Sequence, residues 1–265
     1  MDYLYNRWVS IKERFKNKFL FIFIDFDGTL VSIAETPAKA RLSRKVKNLL
    51  REIAGSPSAK LAFISGRIID DIKNKIGLKN VIYSGNHGLE IEGPKIKFKP
   101  VVSPDFRKVL EKLRDDLIDK TSSFKGILIE DKGFSLSLHY RLADKEKIPQ
   151  IKTIFHEAVI IPRVRNKIRV KTGKMVLEIR PPVEWDKGKV VLWLLARQVF
   201  VSKNLPVLPI YIGDDLTDED AFKALKNKGL TILVGEPKDS HAQYYLKNPN
   251  EVKGFLKRLS LIVSP

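Results

Sequence analysis

Two aspartates, Asp25 and Asp27, stand at the end of an unbroken apolar run, Phe19-Leu20-Phe21-Ile22-Phe23-Ile24, and Gly28 follows them. Side chains two apart on an extended chain point the same way, so both carboxylates should project together from the carboxyl end of a strand. Close carboxylates repel unless a cation sits between them or one stays protonated. A hard divalent ion such as Mg²⁺ suits the pair, because it takes a few oxygen ligands and keeps water or phosphate oxygens in its other positions. The same residues serve equally as a turn and a helix cap, since aspartate favours both. Taken alone, this stretch leaves the two readings open.

Other polar groups recur at strand ends. Leu61-Ala62-Phe63-Ile64 stops at Ser65-Gly66-Arg67, Val81-Ile82-Tyr83 runs into Ser84-Gly85-Asn86-His87-Gly88, and Val207 to Ile212 ends at Gly213-Asp214-Asp215. Lys187 stands where a helix carrying Val191, Leu194 and Leu195 begins. Together Asp25, Asp27, Ser65, Lys187, Asp214 and Asp215 supply what phosphoryl transfer needs. One carboxylate attacks phosphorus, a second moves a proton, a hydroxyl and an ammonium hold phosphate oxygens, and an acid completes a metal site.

For these groups to meet, the segments between them must build a parallel sheet. Large apolar residues without polar alternation, as in Phe19 to Ile24, suit a strand covered on both faces. Helical spacing of Leu42, Val46, Leu49, Leu50 and Ile53, and again over Ile68 to Ile76, alternates with the strands and predicts βαβ units. Leu89 to Ile91 and Ile96 to Phe98 flank Glu92-Gly93-Pro94-Lys95 as an antiparallel hairpin. Between residues 101 and 182 the pattern becomes helix, strand, strand, helix, strand, strand with alternating polar residues, which predicts an inserted α+β module with one solvated sheet face. The core is then 1–100 with 183–265, and Pro181-Pro182 reads as a hinge. Asp218-Glu219-Asp220 should open a helix, where the dipole favours acids. Met1 to Lys18 reads as an amphipathic helix with Trp8, Ile11 and Phe15 on one side, a face for packing on the core ahead of serving as an interface.

The chain has 265 residues, 43% hydrophobic and 30% charged, which describes a folded globular protein. No apolar run approaches the roughly 20 residues needed to cross a bilayer, so no membrane partner is expected. The first residues lack a signal-peptide pattern, and a cytoplasmic location is the expectation. Absence of cysteine excludes disulfides and thiolate chemistry. The net charge of +18 fits a lysine-rich solvated surface, then a field that draws in anionic substrates. A basic nucleic-acid-binding protein is the rival from another class, but no nucleic-acid-binding signature is present and no such partner is expected. Nothing in the residues reports oligomeric state.

The motifs, in this order, resemble those of the haloacid dehalogenase-like phosphatases: Asp25-Phe26-Asp27-Gly28-Thr29-Leu30, Ile64-Ser65-Gly66-Arg67, Lys187-Gly188 and Gly213-Asp214-Asp215. Within that superfamily the chain is similar, over nearly its whole length, to the trehalose-6-phosphate phosphatases. Gly85-Asn86-His87-Gly88-Leu89-Glu90, Glu178-Ile179-Arg180-Pro181, Asp186-Lys187-Gly188 and Gly213-Asp214-Asp215-Leu216-Thr217-Asp218-Glu219-Asp220-Ala221-Phe222 carry the likeness. The resemblance implies an α/β fold, a Rossmann-like parallel sheet core with an inserted α+β cap domain. It also implies a phosphorylated disaccharide as substrate, with sucrose phosphate or mannosyl-3-phosphoglycerate as rival esters.

By the same resemblance Asp25 is the nucleophile and Asp27 the general acid and base. Asp25, the backbone carbonyl of Asp27, and Asp214 hold Mg²⁺, with Asp215 and Asp218 supporting, while Ser65 and Lys187 neutralise the phosphoryl oxygens. Substrate contacts are expected from Arg67, Asn86, His87 and Glu90 of the core. From the cap they are expected from Glu130, Lys132, His139, Tyr140, Arg141, Glu178 and Arg180. An ordinary wet sheet face accounts for Glu130, Lys132, His139, Tyr140 and Arg141 equally well, and His87 between asparagine and glycine suits a turn.

Overall fold

A computed structural model describes residues 1–99, 103–201, 205–237 and 239–263. They form two compact units, Met1–Lys99 with Trp185–Pro265, and Pro100–Glu184. The predicted domain junction at Val101 lies outside the described residues.

The first unit opens with β1 (Asp2–Tyr3) and α1 (Trp8–Glu13). Next come β2 (Phe19–Ile24), α2 (Arg44–Gly55), β3 (Ala59–Ile64), α3 (Ile69–Ile76), β4 (Ile82–Gly85), β5 (Glu90–Gly93) and β6 (Ile96–Phe98). The second unit holds α4 (Pro104–Thr121), β7 (Leu128–Asp131), β8 (Leu136–His139), α5 (Ile148–Val164), β9 (Arg169–Gly173) and β10 (Val176–Arg180). The chain then returns to the first unit through α6 (Lys187–Val201), β11 (Val207–Gly213), α7 (Glu219–Leu225), β12 (Leu230–Val234), β13 (Tyr244–Leu246) and α8 (Pro249–Val263).

In the first unit nine strands run in the order β1-β13-β12-β11-β2-β3-β4-β5-β6. Pairing is parallel from β1 through β4 and antiparallel across β4-β5 and across β5-β6, the latter being the predicted hairpin. The strand at the centre explains its own sequence. Leu20, Ile22 and Ile24 of β2 enter a core shared with α2, α3 and α8, while Phe21 and Phe23 enter another shared with α6 and α7. Both faces are covered, so no position from Leu20 to Ile24 is free to be polar. Each fully buried leucine, isoleucine or phenylalanine there contributes about 1.5–3 kcal/mol. Ser43 caps α2, its Oγ accepting from the Val46 N–H at 3.3 Å.

The amino-terminal segment differs from the single helix expected over 1–18. Only Trp8–Glu13 is α-helical, and Asp2 and Tyr3 pair with Tyr244 and Tyr245 as a parallel edge strand. The backbone groups of the β13 edge find partners this way, while Leu4, Ile11 and Phe15 still bury their side chains. The segment packs on the core as predicted, with Trp8 edge-on to Phe255 at 6.0 Å.

The second unit is a four-stranded antiparallel sheet, β7-β8-β10-β9, backed by α4 and α5. Leu136, Leu138, Leu177 and Ile179 face those helices and form one core with Phe106, Leu110, Leu117, Ile151 and Phe155. The register pairs Glu130 with Ser137 and Ser137 with Glu178, so the intervening polar residues line the other face.

Candidate active site

Strand register explains why distant motifs converge. Ile24 pairs with both Ile212 and Phe63, so Asp25, Asp214 and Ser65 all leave the sheet just beyond the same level. From β2 the chain proceeds outward one way through β3 and β4, and later outward the other way through β11, β12 and β13. The β2/β11 junction is therefore a topological switch point, where open α/β sheets form crevices at their carboxyl ends.

Asp25, Asp214 and Asp218 are buried, and one carboxylate oxygen of each lies within 4.8 Å of the others. Lys187, the first residue of α6, reaches in and donates to Asp25 Oδ1 at 2.8 Å and to Asp218 Oδ1 at 2.7 Å. Burial pushes the Asp25 carboxyl well above its ordinary value against the pull of Lys187, and the charges of Asp218 and Asp214 add to the rise. Although burial works against it, Lys187 is driven above its usual range by Asp218 and then by Asp25, so it stays charged. Three buried acids face one buried ammonium. That excess of oxygen donors and negative charge fits a hard divalent cation.

Asp218 is saturated with donors. Its Oδ1 takes Lys187 and the Tyr211 hydroxyl at 2.6 Å, and its Oδ2 takes the N–H groups of Asp214 at 3.0 Å and Asp215 at 2.9 Å. Burial opposes its charge, yet Lys187, Tyr211 and the backbone together hold its carboxyl below the ordinary value. Asp218 thus fixes both the Lys187 ammonium and the turn bearing Asp214. Glycine is required at two neighbouring points. A Cβ on Gly213 would lie 2.3 Å from the Asp218 carboxyl carbon, and one on Gly28, whose φ is +87°, would lie 2.2 Å from Asp214 Oδ2.

Asp27 stands apart from the three-carboxylate cluster. Both its oxygens meet Arg67, from Nε and Nη2 at 2.6 Å each. Ser65 is buried at the end of β3 and its Oγ accepts from the Arg67 N–H at 3.2 Å. Asp215 caps the turn before α7 by accepting from the Leu216 N–H at 2.6 Å. Asn86 donates to Glu90 Oε2 at 2.7 Å, and Lys99 lies 3.2 Å from Glu90 Oε1. His87 follows Asn86 with a φ of +55°, in keeping with a turn.

The second unit gathers its own polar set. Glu178 accepts from Arg180 Nε at 2.6 Å, from Ser135 Oγ at 3.0 Å and from Lys132 Nζ at 3.4 Å. His139 Nε2 lies 2.9 Å from Glu130 Oε2. Arg141 instead donates to the Lys174 carbonyl at 2.8 Å, and Tyr140 is buried in the core of that unit.

Three residues given no role in the sequence hold this site together. Tyr211 is buried in an apolar strand, and a tyrosine there needs a partner for its hydroxyl, which was the available signal. Thr29 is buried and its Oγ1 lies 3.3 Å from Asp214 Oδ1. Asp71 accepts from Arg67 Nη1 at 2.6 Å, and its spacing of four from Arg67 at the start of a helix was legible.

A family model described as trehalose-phosphatase matches residues 23–250. A curated relative from Oryza sativa subsp. japonica, "Probable trehalose-phosphate phosphatase 4", is 36% identical over 264 residues, covering 96% of this chain and 69% of its own. "Trehalose-phosphate phosphatase B" of Arabidopsis thaliana is 34% identical over 270 residues, covering 96% of this chain and 70% of its own. Among solved structures, the C-terminal domain of the C. albicans trehalose-6-phosphate phosphatase matches with a TM-score of 0.83 at 26% identity. It covers 98% of this chain and 97% of that one.

Proposed function

The chain belongs to the trehalose-phosphatase family, and from that premise we propose that it hydrolyses trehalose 6-phosphate to trehalose and phosphate by way of an aspartyl-phosphate on Asp25. The observation that carries this reading is the Lys187 ammonium set between Asp25 and Asp218, beside Asp214, at the switch point of the sheet. In the first step an Asp25 oxygen bonds to phosphorus as the bond to the sugar oxygen breaks, and Asp27 gives that oxygen a proton. In the second, Asp27 takes a proton from the attacking water as the Asp25–phosphorus bond breaks. Lys187 and the Ser65 hydroxyl neutralise the phosphoryl oxygens, where most of the charge of the transition state lies.

Asp25, Asp214 and the carbonyl oxygen of Asp27 would hold Mg²⁺, with Asp215 and Asp218 supporting. When bound, the ion supplies charge neutralisation and orientation of the phosphoryl group. Recognition of the sugar falls to Glu130, Lys132, His139, Arg141, Glu178 and Arg180 of the second unit, with Asn86, His87 and Glu90 of the first. Interlocked carboxylates and cations of this kind offer directed donors and acceptors to hydroxyl groups. The cytoplasm, where sugar phosphates are made and consumed, is the proposed location.

The test is phosphate release from a panel of trehalose 6-phosphate, sucrose phosphate and mannosyl-3-phosphoglycerate, with Mg²⁺ and with a chelator. Preference for trehalose 6-phosphate, loss of turnover in the chelator, and an inactive but folded Asp25→Asn variant are expected. Wild-type turnover in Asp25→Asn would overturn the nucleophile, and preference for another ester would overturn the substrate.

A further inference from the structure

Arg67 is 8% exposed and wholly committed to protein partners along one side. Its Nε and Nη2 meet the two oxygens of Asp27 separately, and its Nη1 meets Asp71 Oδ2, each at 2.6 Å. The guanidinium carbon lies 5.3 Å from the centre of the Phe26 ring. Its main chain is tied as well, the carbonyl accepting from the Asn86 N–H at 2.7 Å. Asp27 by contrast is partly open, its side chain 37% exposed. A fork-shaped cation gripping both oxygens fixes the plane of the carboxylate, which a single-point contact cannot do.

From this geometry we propose that Arg67, anchored by Asp71, is the positioning residue for proton transfer by Asp27. The proposal rests on the acid–base role given to Asp27 above. When Asp27 passes its proton to the departing sugar oxygen, the carboxylate left behind already has a charged donor on each oxygen. The same grip keeps that carboxylate oriented to accept the proton of the incoming water. Misalignment of such a group is costly, because proton transfer needs the reacting atoms held at hydrogen-bond distance and angle. Arg67 therefore acts through Asp27.

The test compares two esters in the first turnover: trehalose 6-phosphate, whose alkoxide needs a proton to leave, and p-nitrophenyl phosphate, whose phenolate leaves without one. Asp27→Asn should slow release of the sugar by about 10²–10⁴-fold and spare release of the phenolate. Arg67→Gln should show the same selectivity at roughly a tenth of the effect or more, with KM little changed, and Arg67→Lys should recover part of it. The double variant Asp27→Asn/Arg67→Gln should be no slower than Asp27→Asn alone. A rise in KM for both esters at unchanged kcat, or a double variant slower by the product of the two single effects, overturns the proposal. If Arg67→Gln does not fold, as judged by circular dichroism, Asp71→Asn carries the same test with the same selectivity expected. Equal loss on both esters in Asp27→Asn itself would mean that the acid–base reading of Asp27 fails, which these measurements separate from a failure confined to Arg67.

Discussion

Replacing Asp218 by asparagine separates two accounts of this residue. If Asp218 were chiefly a metal ligand, removing its charge without metal would relieve repulsion with Asp25 and Asp214, and the variant would be as stable as the parent or more so. The geometry predicts the reverse. Asparagine offers one acceptor oxygen, so its amide must face either the two N–H groups of Asp214 and Asp215 or the donors of Lys187 and Tyr211. The carboxyl is held below its ordinary value despite burial, so the site as a whole favours the charge. Breaking a buried pair of this kind costs about 3–5 kcal/mol, and the oxygen that remains places this case near the lower figure. At about 2–4 °C per kcal/mol for a chain of this size, the melting temperature in a chelator should fall by roughly 6–12 °C. Because the folded carboxyl titrates below its unfolded value of 3.8, its stabilisation is present above pH 3.8 and is lost as pH falls through the folded value. The variant should therefore lose less stability than the parent over that acid range. Calorimetry in a chelator at several pH values measures both effects, and a melting temperature equal to or above that of the parent refutes the scaffold role.

Two further predictions concern the amino-terminal segment. Ile11→Ala, at a fully buried position of α1, should cost about 2–5 kcal/mol in chemical denaturation, since it empties a packed site. The Tyr3 hydroxyl is pushed up to about 12 by burial and then by Glu251, to which it donates at 2.9 Å. A raised value favours the protonated form, so this stabilisation is intact below pH 10 and is lost between pH 10 and about 12. Tyr3→Phe should lose less stability than the parent across that window in alkaline titrations followed by circular dichroism.

What the sequence made legible was local. The β2 run and its two aspartates, and the 3.6-residue pattern of α2, all depend on neighbours within one or two turns. Strand ends bearing polar residues were also readable, and register then carried Asp25, Ser65 and Asp214 to one level. Pairings with no local trace were not readable. Asp2–Tyr3 is two residues long and pairs with Tyr244 and Tyr245, so helical periodicity was the stronger signal over that segment. The grip of Arg67 on Asp27 spans 40 positions between two loops, so no local pattern announced it. The alternation on β8 and β10 revealed a polar face, but which of its members would lock onto Glu178 depended on side-chain reach.

The interleaving of the two units has a consequence for the newborn protein. β2 can pair with β3, and β3 with β4, soon after they leave the ribosome, but β11, the neighbour of β2 on the other side, is translated only after the whole inserted unit. Lys187 follows Asp25 by 162 positions. At ordinary elongation speeds of about 5–20 residues per second, on the order of 10–30 s pass during which Asp25 has no ammonium beside it. A ribosome stalled before Lys187 would thus carry half a sheet with an exposed strand edge, a natural client for chaperones.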